Sequence, residues 1–325
     1  VSAIKITGTK KLVVVSGRAH PQLALDIARE LGTELTGTDA RTFASSEIYA
    51  RYDDSVRGSD AFVIQSHTRP VNEWLMEQLI MIDALKRASA KRITVVAPYF
   101  PYARQDKKGR GREPISARLV ADLFKTAGAD RIMSVDLHAA QIQGFFDGPV
   151  DHLFAMPVLL EHFRAQLDPA TLTVVSPDMG RVKVADNWSD KLGAPLAIIH
   201  KRRDPEVHNQ VSVHEIVGDV EGRMCLLVDD LIDTGRTIVK AAEALKEHGA
   251  LGVVVAATHG VFSDPATELL QSDFIDQVVV TDTLPVPEEK RWDRLTILPI
   301  APLIARAIHE VFDEGSVTSM FDGAA

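Results

Sequence analysis

The chain carries the same long stretch twice. Leu12 to Leu35, LVVVSGRAHPQLALDIARELGTEL, returns as Leu172 to Leu196, LTVVSPDMGRVKVADNWSDKLGAPL, with one residue inserted in the second copy. In each, a β-branched run leads through a turn into a helical pattern. Ala84-Leu85-Lys86 and the run Ile93 to Ala97 are echoed, at the same spacing, by Ala244-Leu245-Lys246 and Val253 to Ala257. Ala129 to Asp136 is echoed by Ile275 to Asp282 at a somewhat shorter one. A period this long is not a solenoid unit, and it predicts two copies of one α/β domain, meeting between about Asp151 and Pro169. We set the domains at 1–155 and 156–325. A chain of 325 residues, 46% of them hydrophobic, can fill two cores of that size.

Within each copy the β-branched runs show no alternation: Val13 to Val15, Ile93 to Val96, Val174 to Val175, Leu226 to Val228 and Val253 to Val255. Strands buried on both faces read this way, which predicts mainly parallel sheets. Helical patterns lie between them, including Trp74 to Ser89 and Val239 to His248, the latter closed by Gly249. A doubly wound fold follows, with its chemistry expected beyond the carboxyl ends of the strands.

Charge and composition remove several classes of function. A formal net charge of -9 argues against a general affinity for nucleic acid, so any anion site must be local. The single cysteine, Cys225, lies in an apolar run and reads as a small buried thiol; no intramolecular disulfide can form. Val1 to Lys11 has no apolar core of signal-peptide type, and no stretch reaches the roughly 18 apolar residues of a membrane span. The expectation is a soluble, cytoplasmic protein that engages neither nucleic acid nor membrane.

The most informative segment is Leu226 to Thr237, LLVDDLIDTGRT. A buried strand ends in two adjacent carboxylates and leads into a turn that opens a helix. The backbone N–H groups of Asp233, Thr234, Gly235, Arg236 and Thr237 make an anion cradle there, with the two threonine hydroxyls as further donors. Asp229 and Asp230 would repel a phosphate but can accept hydrogen bonds from sugar hydroxyls. A phosphorylated sugar satisfies both ends; an acidic turn that merely caps a helix is the plainer alternative. The segment resembles the phosphoribosyl-binding loop of the type I phosphoribosyltransferase fold, in which the acids hold the ribose hydroxyls. The corresponding loop of the first copy, Gln65 to Pro70 (QSHTRP), has neither the acid pair nor the glycine. Only the second domain is therefore expected to bind the sugar.

Pro98 to Lys108 (PYFPYARQDKK) follows a strand and sets ring faces beside guanidinium and amide donors, which suits a nucleoside triphosphate as well as a solvated basic loop. Val135 to Phe146 (VDLHAAQIQGFF) and Ser176-Pro177-Asp178 each follow a strand end, so His138 and Asp178, one from each domain, are placed to share an ion. Lys201 and Arg203 open a polar stretch running to Glu215, whose composition predicts a mobile loop.

These four segments, with Ile216 to Val220, resemble the class I ribose-phosphate diphosphokinases, also called the phosphoribosyl pyrophosphate synthetase family, in unbroken order from about Leu12 to Phe321. The resemblance implies two duplicated phosphoribosyltransferase-like domains, the first on the ATP side and the second holding ribose 5-phosphate. It implies that Arg104 and Gln105 contact ATP and that Phe43, Ser45 and Glu47 receive the adenine from a neighbouring subunit. His138 and Asp178 would bind Mg2+, and Lys201 and Arg203 would be catalytic. The implied reaction moves the diphosphoryl group of ATP to the anomeric hydroxyl of ribose 5-phosphate, feeding nucleotide, histidine and tryptophan biosynthesis. A homo-oligomer, often a hexamer, inhibited by ADP and activated by phosphate, is also implied. Three positions depart from the pattern: Ser46 stands where a glycine is usual, and Arg181 and Arg236 where small residues are common. The rival readings are a phosphoribosyltransferase, opposed by the ATP segment and the duplication, and a silent regulatory subunit, opposed by the retention of Lys201, Arg203, His138 and the sugar loop.

Overall fold

A computed structural model of the chain describes residues 10–203 and 212–321. It divides into two compact units, one of the residues up to Leu153 together with those from Ala301 onward, the other of Phe154–Ile300. The first unit is built from β1 (Leu12–Ser16), α1 (Pro21–Glu30), β2 (Thr38–Thr42), β3 (Ile48–Tyr52), β4 (Asp60–Ile64), α2 (Val71–Arg87), β5 (Arg92–Val96), α3 (Ser116–Ala127), β6 (Arg131–Val135) and β7 (Val150–Leu153). The second holds α4 (Met156–Arg164), β8 (Leu172–Ser176), α5 (Val182–Leu192), β9 (Leu196–Arg203), β10 (Ser212–Val217), β11 (Met224–Ile232), α6 (Arg236–Glu247), β12 (Gly252–Gly260), α7 (Ala266–Leu270), β13 (Gln277–Thr281) and β14 (Leu295–Leu298). The helix α8 (Ala301–Phe312) follows and returns to the first unit, where it packs on α1.

The duplication is written in the strand order. One sheet runs β1-β4-β5-β6-β7 and the other β10-β9-β8-β11-β12-β13-β14. The run β8-β11-β12-β13-β14 repeats the first sheet position for position, and every pair within either run is parallel. The three sequence echoes fall on matching elements: β1 and α1 with β8 and α5, β5 with β12, β6 with β13. The two antiparallel strands inserted after the first helix differ in use. β2 and β3 form a separate ribbon, whereas β9 joins its sheet beside β8 and carries β10 on its edge.

Burial explains the absence of alternation. Every residue of β4, β8 and β12 is buried, because helices cover both faces of each sheet. In the second unit Cys225 and Leu227, Val253 and Val255, and Val278 and Val280 share one face, which packs against Ile238, Ala241, Ala242 and Leu245 of α6. Those α6 residues recur at helical spacing, and Gly249 ends the segment with φ 85. Burial pushes the Cys225 thiol up to about 12, so it is an inert core side chain.

Two expectations are corrected. The second domain was expected to run over 156–325, but residues from Ala301 onward belong to the first unit. The stretch from Lys201 to Glu215 was expected to be a loop. At its two ends β9 carries the backbone through Arg203 and pairs antiparallel with β10, Ser212 opposite Arg203 and Glu215 opposite His200, while residues 204–211 lie outside the described residues. Ladder hydrogen bonds on a sheet edge need no apolar side chains, so the polar composition was a poor guide. The side chains of Lys201 and Arg203 lie outside the described residues.

Candidate active site

In the second unit the chemistry gathers at the carboxyl end of β11. The strand continues two residues past the acid pair, to Ile232, and the turn Asp233–Gly235 leads into α6. Gly235 has φ 74, and a Cβ there would come within 3.2 Å of Leu270 Cγ, so strain and crowding both favour glycine. The N-cap residue of α6 is Gly235, which has no side chain to offer the N–H groups of the first turn, the groups that suit an anion. Arg236 and Thr237 are exposed at that end, with Asp233 and Thr234 half-buried beside them.

Asp229 and Asp230 are side by side and mostly buried, with side chains 20% and 8% exposed. Burial, reinforced by the neighbouring Asp230 carboxylate, holds the Asp229 carboxyl well above the usual carboxylate range, while Arg181 pulls it down. Arg181 Nε lies 3.3 Å from Asp229 Oδ1, and its Nη2 pairs with Asp230 Oδ1. The sequence marked Arg181 only as a departure from the family pattern; its pairing with the acids joins the end of β8 to the end of β11. Asp178 Oδ1 accepts hydrogen bonds from the backbone N–H groups of Gly180 (2.8 Å) and Arg181 (3.1 Å). Its side chain is exposed beyond β8.

In the first unit the matching end of β4 is closed. Gln65, Ser66 and His67 are buried, and Gln65 donates to Glu77 Oε1 at 2.9 Å and accepts from the Ala19 N–H at 3.2 Å. Burial lowers the His67 imidazole to about 4, so it is a neutral core histidine at physiological pH. The loops beyond β5 and β6 instead present Arg104 and Gln105, both exposed, and a half-buried His138. A contact between the Gln141 side-chain amide and the buried Asp106 carboxylate ties these two loops together. That tie was missed in the sequence, although both residues lie in the informative segments. Gln105 is fixed in turn by the Ser116 hydroxyl, which donates to Gln105 Oε1 at 2.6 Å.

Phe43, Ser45 and Glu47 sit together, exposed, at the tip of the β2–β3 ribbon. Ser45 donates to Glu47 Oε2 at 2.7 Å, and Arg41 lies over the rings of Phe43 (5.7 Å) and Tyr49 (4.9 Å). Ser46 adopts φ 70, the left-handed region in which a Cβ is strained and a glycine is not. The strain relieved by Ser46→Gly outweighs the added freedom of the unfolded chain. The variant is expected to gain about 0.5–1 kcal/mol, seen as a higher urea midpoint at unchanged slope. A lower midpoint would show that the serine side chain contributes more than its backbone costs.

Among the described residues no three His, Cys, Asp or Glu side chains cluster as a metal centre, and no helix is long and apolar enough to cross a membrane.

Comparison with known proteins covers nearly the whole chain. A family model described as the N-terminal domain of ribose phosphate pyrophosphokinase matches residues 12–128, and one described as the phosphoribosyl synthetase-associated domain matches residues 205–322. The ribose-phosphate pyrophosphokinase of Streptomyces avermitilis is 64% identical over 321 residues, 99% of each chain. That of Mycobacterium tuberculosis is 60% identical over 317 residues, 97% of each. The crystal structure of phosphoribosylpyrophosphate synthetase from Mycobacterium smegmatis superposes with a TM-score of 0.90 at 58% identity, covering 94% of this chain and 100% of that one.

Proposed function

The chain belongs to the ribose-phosphate pyrophosphokinase family of enzymes, and from that premise we propose that it transfers the β,γ-diphosphoryl group of MgATP to ribose 5-phosphate, giving 5-phosphoribosyl 1-diphosphate and AMP. The observation that carries the sugar half is the adjacency of acceptor and donor groups at one strand end. The mostly buried Asp229 and Asp230 stand just before an α6 N-terminus whose N-cap residue is Gly235. The two carboxylates accept hydrogen bonds from the ribose hydroxyls. The N–H groups of Asp233 to Thr237, with the Thr234 and Thr237 hydroxyls, hold the 5-phosphate.

The anomeric oxygen attacks the β-phosphorus in line. Its bond to that phosphorus forms as the bond from the β-phosphorus to the AMP oxygen breaks, and the hydroxyl proton is lost to solvent. No covalent enzyme intermediate is required, so positioning and electrostatics supply most of the acceleration. Arg104 and Gln105 hold the triphosphate, Phe43, Ser45 and Glu47 receive adenine from a neighbouring subunit, and Lys201 with Arg203 stabilises the charge of the transition state. Asp178 and His138 would hold magnesium. One Asp178 oxygen caps the turn after it, and a carboxylate with an imidazole is a small donor set for a metal. That small set suits an ion that prefers oxygen ligands and takes the rest of its shell from water and phosphate. When bound, the ion neutralises the phosphate oxygens. Cytoplasmic location, a hexameric assembly, inhibition by ADP and activation by phosphate complete the reading.

The test is to incubate the purified protein with ribose 5-phosphate, ATP and magnesium and to identify the nucleotide product by chromatography. AMP formed one-for-one with the diphosphorylated sugar, and absent without the sugar, is the expected result. ADP would make the protein an ordinary kinase, and nucleotide binding with no product would favour a silent subunit.

A further inference from the structure

Arg181 is the last residue of the turn Met179–Arg181, and its side chain is only 15% exposed. Its own N–H is anchored on Asp178 Oδ1, so the chain fixes where the guanidinium begins. Two nitrogens of the fork then reach two different carboxylates, Nε toward Asp229 Oδ1 at 3.3 Å and Nη2 onto Asp230 Oδ1. Asp229 Oδ1 also accepts the Asp230 backbone N–H at 2.8 Å. One oxygen of Asp229 is thus met twice by protein donors, which restricts the carboxylate's orientation.

Two carboxylates on successive residues, both largely out of water, repel each other, and without a cation one of them turns away or takes up a proton. A lysine could neutralise one; only a planar fork spans both.

We infer that Arg181 is a positioning residue for ribose 5-phosphate, orienting Asp229 and Asp230 together so that both accept hydrogen bonds from the sugar hydroxyls. The inference rests on the sugar site proposed above. Arg181 need not touch the sugar or the reacting phosphorus, so it acts on sugar affinity and not on the chemical step.

The experiment compares the full-length protein with Arg181→Gln and Arg181→Lys. Steady-state kinetics would be run with each substrate varied, and calorimetric titration with ribose 5-phosphate alone. For Arg181→Gln we expect the KM for ribose 5-phosphate to rise roughly 10- to 100-fold, as for loss of hydrogen bonds to charged groups. The kcat and the KM for ATP should stay within about threefold. Arg181→Lys should recover part of the loss, and the calorimetric Kd should follow the KM. An unchanged KM for the sugar, an equal rise for ATP, or a fall confined to kcat would each overturn the inference. The controls separate it from the reading it rests on. A wild-type protein that binds the sugar and forms no AMP contradicts the proposed reaction alone. One that forms AMP while Arg181→Gln keeps its sugar affinity contradicts this inference alone. Failure of the wild type to bind the sugar contradicts both.

Discussion

Replacing Lys201 with alanine is expected to lower kcat by about 10²–10³ while leaving thermal stability within about 0.5 kcal/mol of the parent. Diphosphoryl transfer asks little covalent work of the protein. The barrier is set by how well positive charge meets the negative charge that builds on the transferring phosphorus and the departing AMP oxygen. The proposed cation lies at the end of β9, in a two-strand extension whose other member, β10, is the sheet edge. The β9–β10 ladder is made by backbone groups, which alanine retains. The measurement is AMP formation at saturating ATP and ribose 5-phosphate, set beside a melting curve. Activity and melting temperature falling together would show that Lys201 holds structure and would remove it from the transition state.

The second large effect is on stability. Arg18→Ala is expected to cost about 3 kcal/mol, because it leaves a fully buried carboxylate without its cation. Glu77 on α2 has no exposed side-chain surface, and Arg18 Nε meets its Oε2 at 2.5 Å. The Arg18 backbone N–H donates to Oε1 at 2.7 Å. The same guanidinium reaches Thr42 Oγ1 at 2.9 Å and lies 5.7 Å from the Trp74 ring. Removing the charge on the other side as well tests the cause. In Arg18→Ala/Glu77→Gln the amide no longer needs a cation, so much of the lost stability should return. A double variant as unstable as the sum of the two single ones would attribute the loss to packing around Trp74. Since Thr42 adjoins Phe43, the single variant should also loosen the tip of the ribbon proposed to receive adenine. A rise in the KM for ATP larger than that for the sugar would report it.

Features that repeat along the chain, or that depend on near neighbours, can be read before the chain is folded. The repeat of Leu12–Leu35 in Leu172–Leu196 translated into two sheets with the same five-strand order, because local pattern and burial on both faces act through contiguous residues. Asp229, Asp230 and Gly235 were legible for the same reason: strand end, acid pair and helix start lie within a dozen residues. Tertiary structure alone decided what depends on a distant partner. The apolar stripe of α8, with Ala301, Ile304, Ala305 and Ile308 buried, shows that the helix must pack. It does not say that the surface it packs on is α1, nearly the whole chain away. The edge pairing of β9 with β10 is a backbone interaction that side-chain polarity conceals. Arg181 and Asp229, or Arg18 and Glu77, are far apart in sequence. Nothing local tells a guanidinium headed for water from one that will be buried against two carboxylates, since the cost of burying charge is set by the partner that folding brings to it.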